Sequence, residues 1–188
     1  MVIAAALLAC AANVAPVTLD AIARVESGGN PLAINVNHLV GPQPRAATTQ
    51  EAIDIARWYI AAGYRVDLGI MQITDRNLPS LGYTVEDAFD PCRNLAGGAV
   101  ILTSFYGAAV RRYGEGQAAL MAALSAYNTG SFWAGVANGY VGRVTGIPSI
   151  QIQSAKPIPM LPPPTRRPDP YTADTVAYST GGLHVEID

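Results

Sequence analysis

Apolar residues recur along the chain at the three- and four-residue spacing of amphipathic helices. The first predicted helix begins at Thr18, which can cap it, and ends in the sequence SGGNP at 27–31. Its apolar side carries Leu19, Ile22 and Val25. Glu26 lies in the last turn, where the helix dipole disfavours a negative charge and raises the pKa of a carboxyl group. The pattern therefore predicts a glutamate that keeps its proton more readily than an exposed one.

Three further helices are predicted downstream of the first. The helix at 48–63 opens with a Thr-x-x-Glu capping box and closes at a glycine. The helix at 90–114 opens with Asp-Pro and also closes at a glycine, and the helix at 117–127 is stopped by Asn-Thr-Gly. No convincing series of alternating strands is found, and 67–74 is the one ambiguous stretch. The sequence therefore predicts a mainly α fold.

The composition changes near residue 148, where prolines become frequent and apolar periodicity is lost. Such a segment cannot form a regular helix or a central strand. We therefore predict one folded domain at 1–147 and a Pro-rich, disordered tail at 148–188. The prolines of the tail are Pro148, Pro157, Pro159, Pro162, Pro163, Pro164, Pro168 and Pro170.

The length and charge of the chain indicate a single folded domain and argue against one class of partner. Half of the 188 residues are apolar, which is enough for one domain with a sizeable core. With 14 acidic and 12 basic residues the formal charge is only -2, and no dense stripe of Lys and Arg is present. This balance argues against a nucleic-acid partner.

The longest apolar run, Met1–Ala12, is shorter than the roughly 20 residues that a helix needs to span a bilayer, so no membrane span is predicted. The run resembles the core of a signal peptide, and Leu7–Cys10 loosely resembles a lipoprotein attachment site. No Lys or Arg precedes either one, which counts against both interpretations. A buried first helix is the alternative.

Several common kinds of site lack support in the sequence. The two histidines, His38 and His184, do not lie at metal-ligand spacing from the cysteines. The chain also lacks a Gly-x-Ser-x-Gly elbow and a phosphate-binding loop. No metal and no cofactor are therefore expected. The two cysteines, Cys10 and Cys92, are compatible with one disulfide or with two separate buried thiols.

A carboxyl group, amides and aromatic rings remain near the segment ends, at Glu26, Gln72, Tyr127, Asn128 and Tyr140. Aromatic faces and amides can hold an uncharged polar polymer, and a protonated carboxyl group can donate to a glycosidic oxygen. Taken singly, each residue also fits an ordinary role, as a solvated charge, a surface amide, a helix terminator or a half-buried ring. Together they suit a sugar-binding cleft.

Three ordered segments resemble the signatures of the lysozyme-like lytic transglycosylases. They are AIARVESGGNP at 21–31, LGIMQI at 68–73 and SAYNTG at 125–130. The resemblance covers roughly residues 5–146 and looks closest to the small transglycosylases of type IV secretion and conjugation systems. It implies a lysozyme-like fold and cleavage of the glycan strands of peptidoglycan.

The resemblance also implies a role for each matching residue. Glu26 matches the catalytic glutamate, Ser27 is a polar neighbour that positions the substrate or the acid, and Tyr140 matches a tyrosine that can hydrogen-bond the glutamate. The other residues that it assigns to substrate binding are Gln72, the backbone around Met71, Tyr127 and Asn128. Cys10 and Cys92 fall where relatives of the secretion type have cysteines, which favours the disulfide.

The implied reaction needs one carboxyl group, whereas ordinary glycosidases use two. The glutamic acid protonates the β-1,4 linkage after N-acetylmuramic acid and then takes the proton of that sugar's own 6-hydroxyl as a 1,6-anhydro ring closes. Glu26 alone lies in a candidate motif, because Asp67 and Asp75 lack an obvious counterpart in the family. Protonation near neutral pH would require apolar surroundings that raise the pKa of Glu26.

Three alternatives remain open. A lysozyme uses the same fold and acid but adds water, a non-catalytic module would bind the wall or recruit secretion components, and a phage-associated lysin would share the enzyme but not the setting. Cleavage of the wall requires a periplasmic or cell-wall location, although no convincing leader is visible in the sequence. The expected partners are peptidoglycan glycan strands and, through the Pro-rich tail, components of a secretion system.

Overall fold

Eight α-helices and a small antiparallel sheet make up the described part of the chain, residues 3–146 of a computed structural model. The predicted Pro-rich tail at 148–188 lies outside the described residues. The mainly α class that the sequence predicts is confirmed. The helices are α1 (Ala5–Leu8), α2 (Pro16–Ser27), α3 (Thr49–Ala61), α4 (Leu78–Leu81), α5 (Pro91–Tyr113), α6 (Gln117–Thr129), α7 (Ala134–Ala137) and α8 (Tyr140–Thr145), and the strands are β1 (Ile34–Val36), β2 (Val66–Leu68) and β3 (Ile73–Thr74).

Helix α2 begins earlier than the sequence predicts. Its first residue is Pro16, and Thr18 lies inside the first turn instead of capping it. Proline suits this position because its fixed φ is helical and its missing N–H would have no partner there. The helix ends at Gly28, which adopts a left-handed conformation with φ of 66°. Glu26 therefore lies in the last turn, as predicted.

Helices α3 and α5 begin and end close to the predicted positions. The Thr48 side chain accepts a hydrogen bond from the Glu51 N–H at 3.2 Å, and the Glu51 carboxylate accepts one from the Ala47 N–H at 2.8 Å. Helix α5 is capped by Asp90, whose side chain accepts from the Arg93 N–H. Leu95, Ala99 and Leu102 of α5 are buried against the rest of the protein.

The three-stranded sheet was not predicted from the sequence. Its order is β1-β2-β3 with both pairs antiparallel, and its strands are only two or three residues long. Alternate side chains point to opposite faces of a strand, so the sheet has an apolar face and a polar face. The residues buried on the apolar face are Ile34, Val36, Val66, Leu68 and Ile73.

A disulfide joins Cys10 to Cys92, which agrees with the pairing that the resemblance favours. It fastens the short N-terminal helical segment to the first turn of α5, across a sequence separation of 82 residues. The alternative of a buried first helix does not describe α1, which has no buried residue. Near it, Ile3 before the helix and Ala11 after it are buried. Among the described residues no single helix has the length and apolarity to cross a membrane, although the bent pair Ala5–Ala11 and Pro16–Ser27 passes by length and composition alone.

Candidate active site

A cavity of about 460 Å³ opens between the end of α2, the polar face of the sheet and the C-terminal end of α6. Glu26 of α2 forms one part of its wall, and Tyr127 and Asn128 of α6 form another. Ile101 and Phe105 of α5 contribute apolar surface. Most of the residues that line this cavity are polar, so the cleft suits a polar ligand.

Glu26 is a half-buried carboxyl group with one firm hydrogen-bond partner. The Tyr140 hydroxyl donates to Glu26 Oε1 at 2.5 Å. Burial raises the pKa of Glu26 from the ordinary value of 4.5 to about 7, against the opposing effect of the Tyr140 hydrogen bond. The negative charge of Asp67 raises this pKa further, and the positive charge of Arg143 lowers it. Glu26 can therefore hold a proton near neutral pH, as expected from the sequence.

A tight turn at 69–72 forms the neighbouring wall of the site and is fastened by Asn94 of α5. The buried Asn94 side chain donates to the carbonyl groups of Leu68 and Ala88, at 3.0 and 2.7 Å. It also accepts a hydrogen bond from the Met71 N–H at 2.7 Å. Gly69 has a φ of 73°, and a Cβ there would lie 2.4 Å from the Ala88 carbonyl oxygen. Only glycine fits this turn.

The same turn is tied to both helices that flank the cavity. The Ser27 hydroxyl at the end of α2 donates to the Ile70 carbonyl at 2.8 Å. The Tyr127 hydroxyl of α6 donates to the Met71 carbonyl, also at 2.8 Å. Gln72 adopts a left-handed φ of 50° and donates from its side chain to the Gly69 carbonyl at 2.9 Å. The three sequence motifs thus meet in one network of hydrogen bonds.

The third motif orders the chain beyond α6. The buried Ser125 hydroxyl donates to the Ser131 carbonyl at 2.6 Å and accepts from the Gly135 N–H at 2.8 Å. Asn128 is exposed at the cavity, and its Oδ1 accepts a hydrogen bond from the Asn138 side chain at 3.1 Å. The loop that follows α6 is therefore held against α7 and the start of α8.

The structure brings only part of the predicted site to the cavity wall. The predicted residues that line the cavity are Glu26, Gln72, Tyr127 and Asn128. The others lie behind the wall: Ser27 bonds to the turn, the Met71 side chain is fully buried, and Tyr140 is only 1% exposed behind Glu26. These three residues contact the wall from behind and do not form its surface.

The structure adds a second carboxylate to the site, Asp67 on the polar face of the sheet, to which the family resemblance gives no role. Asp67 lines the cavity together with Asn35 and Asn37. The side-chain amides of both asparagines donate to Asp67 Oδ2 at 3.0 Å. Burial raises the pKa of Asp67, and these two hydrogen bonds lower it. The alternation Ile-Asn-Val-Asn at 34–37 was a signal for this face, but it is too short to identify a strand by itself.

Comparison with known proteins agrees with this geometry. Residues 4–146 match the model of the transglycosylase SLT domain family. The chain is 41% identical over 172 residues to a type IV secretion system protein virB1 of Brucella suis biovar 1, covering 87% of this chain and 70% of the relative. It is 43% identical over 138 residues to a protein virB1 of Agrobacterium fabrum, covering 72% of this chain and 54% of the relative. No solved structure gives a significant match. The lysozyme-like fold expected from the sequence is confirmed by the family match, and the chain belongs to the transglycosylase SLT domain family.

Proposed function

We propose that this protein is a lytic transglycosylase that cleaves the β-1,4 bond between N-acetylmuramic acid and N-acetylglucosamine in peptidoglycan and leaves a 1,6-anhydro end. The observation that carries the proposal is the Glu26 carboxyl group, which lies in the cavity wall with a pKa of about 7. A general acid works best when its pKa is near the working pH. Membership of the transglycosylase SLT family supports the same reaction type.

In the first step Glu26 acts as the acid. Its proton passes to the glycosidic oxygen while the bond from that oxygen to C1 of the muramic acid breaks, and the bonding electrons leave with the oxygen. Tyr140 donates to Oε1 and so fixes the orientation of the carboxyl group, which leaves Oε2 for the substrate. The buried position of Tyr140 means that this orientation is set before substrate arrives.

In the second step the same carboxylate acts as the base. The 6-hydroxyl oxygen of the muramic acid attacks C1 of its own ring, and its proton returns to Glu26, so the enzyme ends the cycle as it began. The nucleophile belongs to the substrate, which supplies it at a high effective concentration. No bond between the sugar and the protein is required.

The remaining residues of the three motifs would bind the substrate or hold the site in place. Gln72 and Asn128 present polar groups to the cavity, and Tyr127 presents part of its ring. The Tyr127 hydroxyl is already engaged with a backbone carbonyl, so we assign its sugar contact to the ring face. Ser27 and Met71 position the acid and the turn from behind the wall, because neither side chain lines the cavity.

We further propose that the enzyme opens the wall locally during assembly of a type IV secretion or conjugation system. The support is the similarity to virB1 proteins, one of which is named as a type IV secretion system protein. This setting places the protein in the periplasm or at the cell wall, with glycan strands as its substrate. The Pro-rich tail at 148–188 remains the proposed contact for secretion components.

Asp67 favours one alternative, hydrolysis of the same bond in the manner of a lysozyme. A second carboxylate in a glycosidase cleft can direct a water molecule or stabilise the reacting sugar. The two reactions give products that differ by one water, so the mass of the products separates them.

The test is mass spectrometry of the soluble products released from isolated peptidoglycan sacculi. We expect anhydro-muropeptides from the wild-type protein and none from Glu26→Gln. Glu115→Gln, at an exposed position outside the cavity, is the matched control and should cleave like wild type. Hydrated products would identify a lysozyme-type enzyme, and substantial cleavage by Glu26→Gln would remove Glu26 from the acid role.

A further inference from the structure

The polar face of the sheet presents a row of three side chains to the cavity, one from each strand. Asn35 of β1 pairs with Asp67 of β2, and Asp67 pairs with Thr74 of β3. All three line the cavity that Glu26 also lines. The residues before and after Asp67 in β2 are fully buried on the other face, so the strand cannot turn Asp67 away without exposing them. The direction of Asp67 toward the cavity is therefore set by the core.

The negative charge of Asp67 is not needed to hold the sheet together. Asn35 and Asn37 both donate to the same oxygen, Oδ2, so a neutral side chain with one acceptor oxygen would satisfy them. Burying a carboxylate is unfavourable unless its charge is used or compensated. The two amide donors stabilise the ionised form, and the second oxygen, Oδ1, is not engaged by this pair. The arrangement preserves a charge at the wall of the cavity.

We propose that Asp67 is a second functional carboxylate of this cleft, whose negative charge keeps Glu26 protonated before cleavage and stabilises the positive charge that develops on the sugar ring during it. This role rests on the proposed cleavage of a glycosidic bond. Asp67 acts through space and forms no bond with the sugar, so Glu26 still performs both proton transfers. Fixed charges that face a developing charge are a large source of rate enhancement in enclosed sites.

The other groups around Glu26 act in the opposite sense to Asp67. The Tyr140 hydroxyl donates to Glu26, and Arg143 lies on the same helix, α8; both favour the ionised carboxylate and lower its pKa. Burial raises the pKa of Tyr127 of α6 well above its usual value, and the charges of Glu26 and Asp67 raise it further. The charged groups that act on Asp67 from the sheet side are Arg65 and Asp75. Asp67 therefore opposes the two α8 residues, Tyr140 and Arg143, in its effect on the pKa of Glu26.

The direct test measures the pKa of Glu26 and does not depend on catalysis. Asp67→Asn removes the charge and keeps an acceptor for both asparagines. In the full-length protein labelled with ¹³C at the glutamate side-chain carboxyl, the Glu26 signal is assigned by its loss in Glu26→Gln. We expect Asp67→Asn to lower the pKa of Glu26 by about 0.5 unit or more. An unchanged or higher pKa overturns the proposal.

Two matched variants test whether the fall in the pKa of Glu26 is caused by the loss of charge at Asp67. Asp75→Asn removes a carboxylate directly after β3, where Asp75 accepts the Val66 N–H, and should not lower the pKa of Glu26. Tyr140→Phe removes a group that stabilises ionised Glu26 and should raise this pKa. An equal fall in Asp75→Asn would mean that general loss of acidic charge is responsible, and would overturn the role of Asp67. If Asp67→Asn does not fold, as judged by circular dichroism, Asp67→Ser takes its place in the same titration.

Catalysis gives a second readout. With glycan strands as substrate, Asp67→Asn should lower kcat roughly tenfold or more with little change in KM, and should move the alkaline limb of the pH profile to lower pH. A wild-type protein that does not cleave glycan would contradict the proposed function, while the NMR titration would still decide whether Asp67 controls Glu26. Wild-type kcat and pH profile in Asp67→Asn would overturn the proposal. So would hydrated products from wild type that become anhydro products in Asp67→Asn, because Asp67 would then direct water.

Discussion

Replacing Glu26 with Gln should make the protein more stable at alkaline pH, because the wild-type carboxyl group must then ionise in a half-buried position. Gln is close in shape to protonated glutamic acid, and its carbonyl oxygen can accept the hydrogen bond that Tyr140 donates to Glu26. The substitution therefore removes one titration and retains the packing around it.

The expected size follows from the pKa of Glu26, which rises from 4.5 to about 7 on folding, chiefly through burial. Between these pH values the folded state holds a proton that the unfolded state has released, so the free energy of unfolding falls as pH rises. The contribution of Glu26 is complete below pH 4.5 and is lost as pH passes through about 7. At about 1.4 kcal/mol for each pKa unit, the loss is roughly 3 kcal/mol.

The measurement is urea denaturation of both proteins, with the disulfide intact, at pH steps from about 4 to about 9. The difference in the free energy of unfolding, Glu26→Gln minus wild type, should be smallest at the acid end, grow steadily from about pH 5, and level off above about pH 8. A difference that stays constant from pH 5 to pH 8 would show that the pKa of Glu26 is not raised in the folded protein. The proposed acid would then lack its physical basis.

Three further outcomes are expected. Asn94→Ala removes three buried hydrogen bonds around the turn at 69–72 and should lower the free energy of unfolding, measured in urea, by about 3 kcal/mol or more. A loss below about 1 kcal/mol would show that Asn94 does not hold this turn in place. Reduction of the Cys10–Cys92 disulfide opens a long loop and should lower the free energy of unfolding by about 4 kcal/mol, which is seen as a lower Tm with dithiothreitol. An unchanged Tm would show that the disulfide is not formed. Tyr140→Phe should lower kcat about tenfold on isolated glycan strands, since the acid loses its orientation; full activity would show that another group orients it.

The four long helices, α2, α3, α5 and α6, could be predicted from the sequence because their signals are local. The capping box at Thr48 and Glu51 and the Asp90 cap of α5 each act within one turn, and the structure contains both. The sequence predicts the cap of α2 at Thr18, three residues after the observed cap at Ala15, because Thr is a good cap by type whereas Pro16 is a better first residue by geometry.

The sheet and the second carboxylate depend on contacts far apart in the sequence. Strands of two or three residues are too short for alternation to distinguish them from loops, and β1 meets β2 across some thirty residues of intervening chain. Asn94 looks like an ordinary polar residue of a helix until the turn at 69–72 is placed against it. Family signatures point to Glu26, but they carry no information about Asp67, whose position comes from strand register.

The first turn of α5 holds two separate parts of the molecule at once. Cys92 secures the N-terminal segment, and Asn94, two residues later, secures the turn that carries Gln72 to the cavity. An opening fluctuation of this one turn would therefore release both parts together, and the protein should behave there as a single cooperative unit. In hydrogen exchange, the Met71 amide, which is bonded to Asn94, would exchange at the rate of that shared opening, and breaking the Cys10–Cys92 link would speed its exchange.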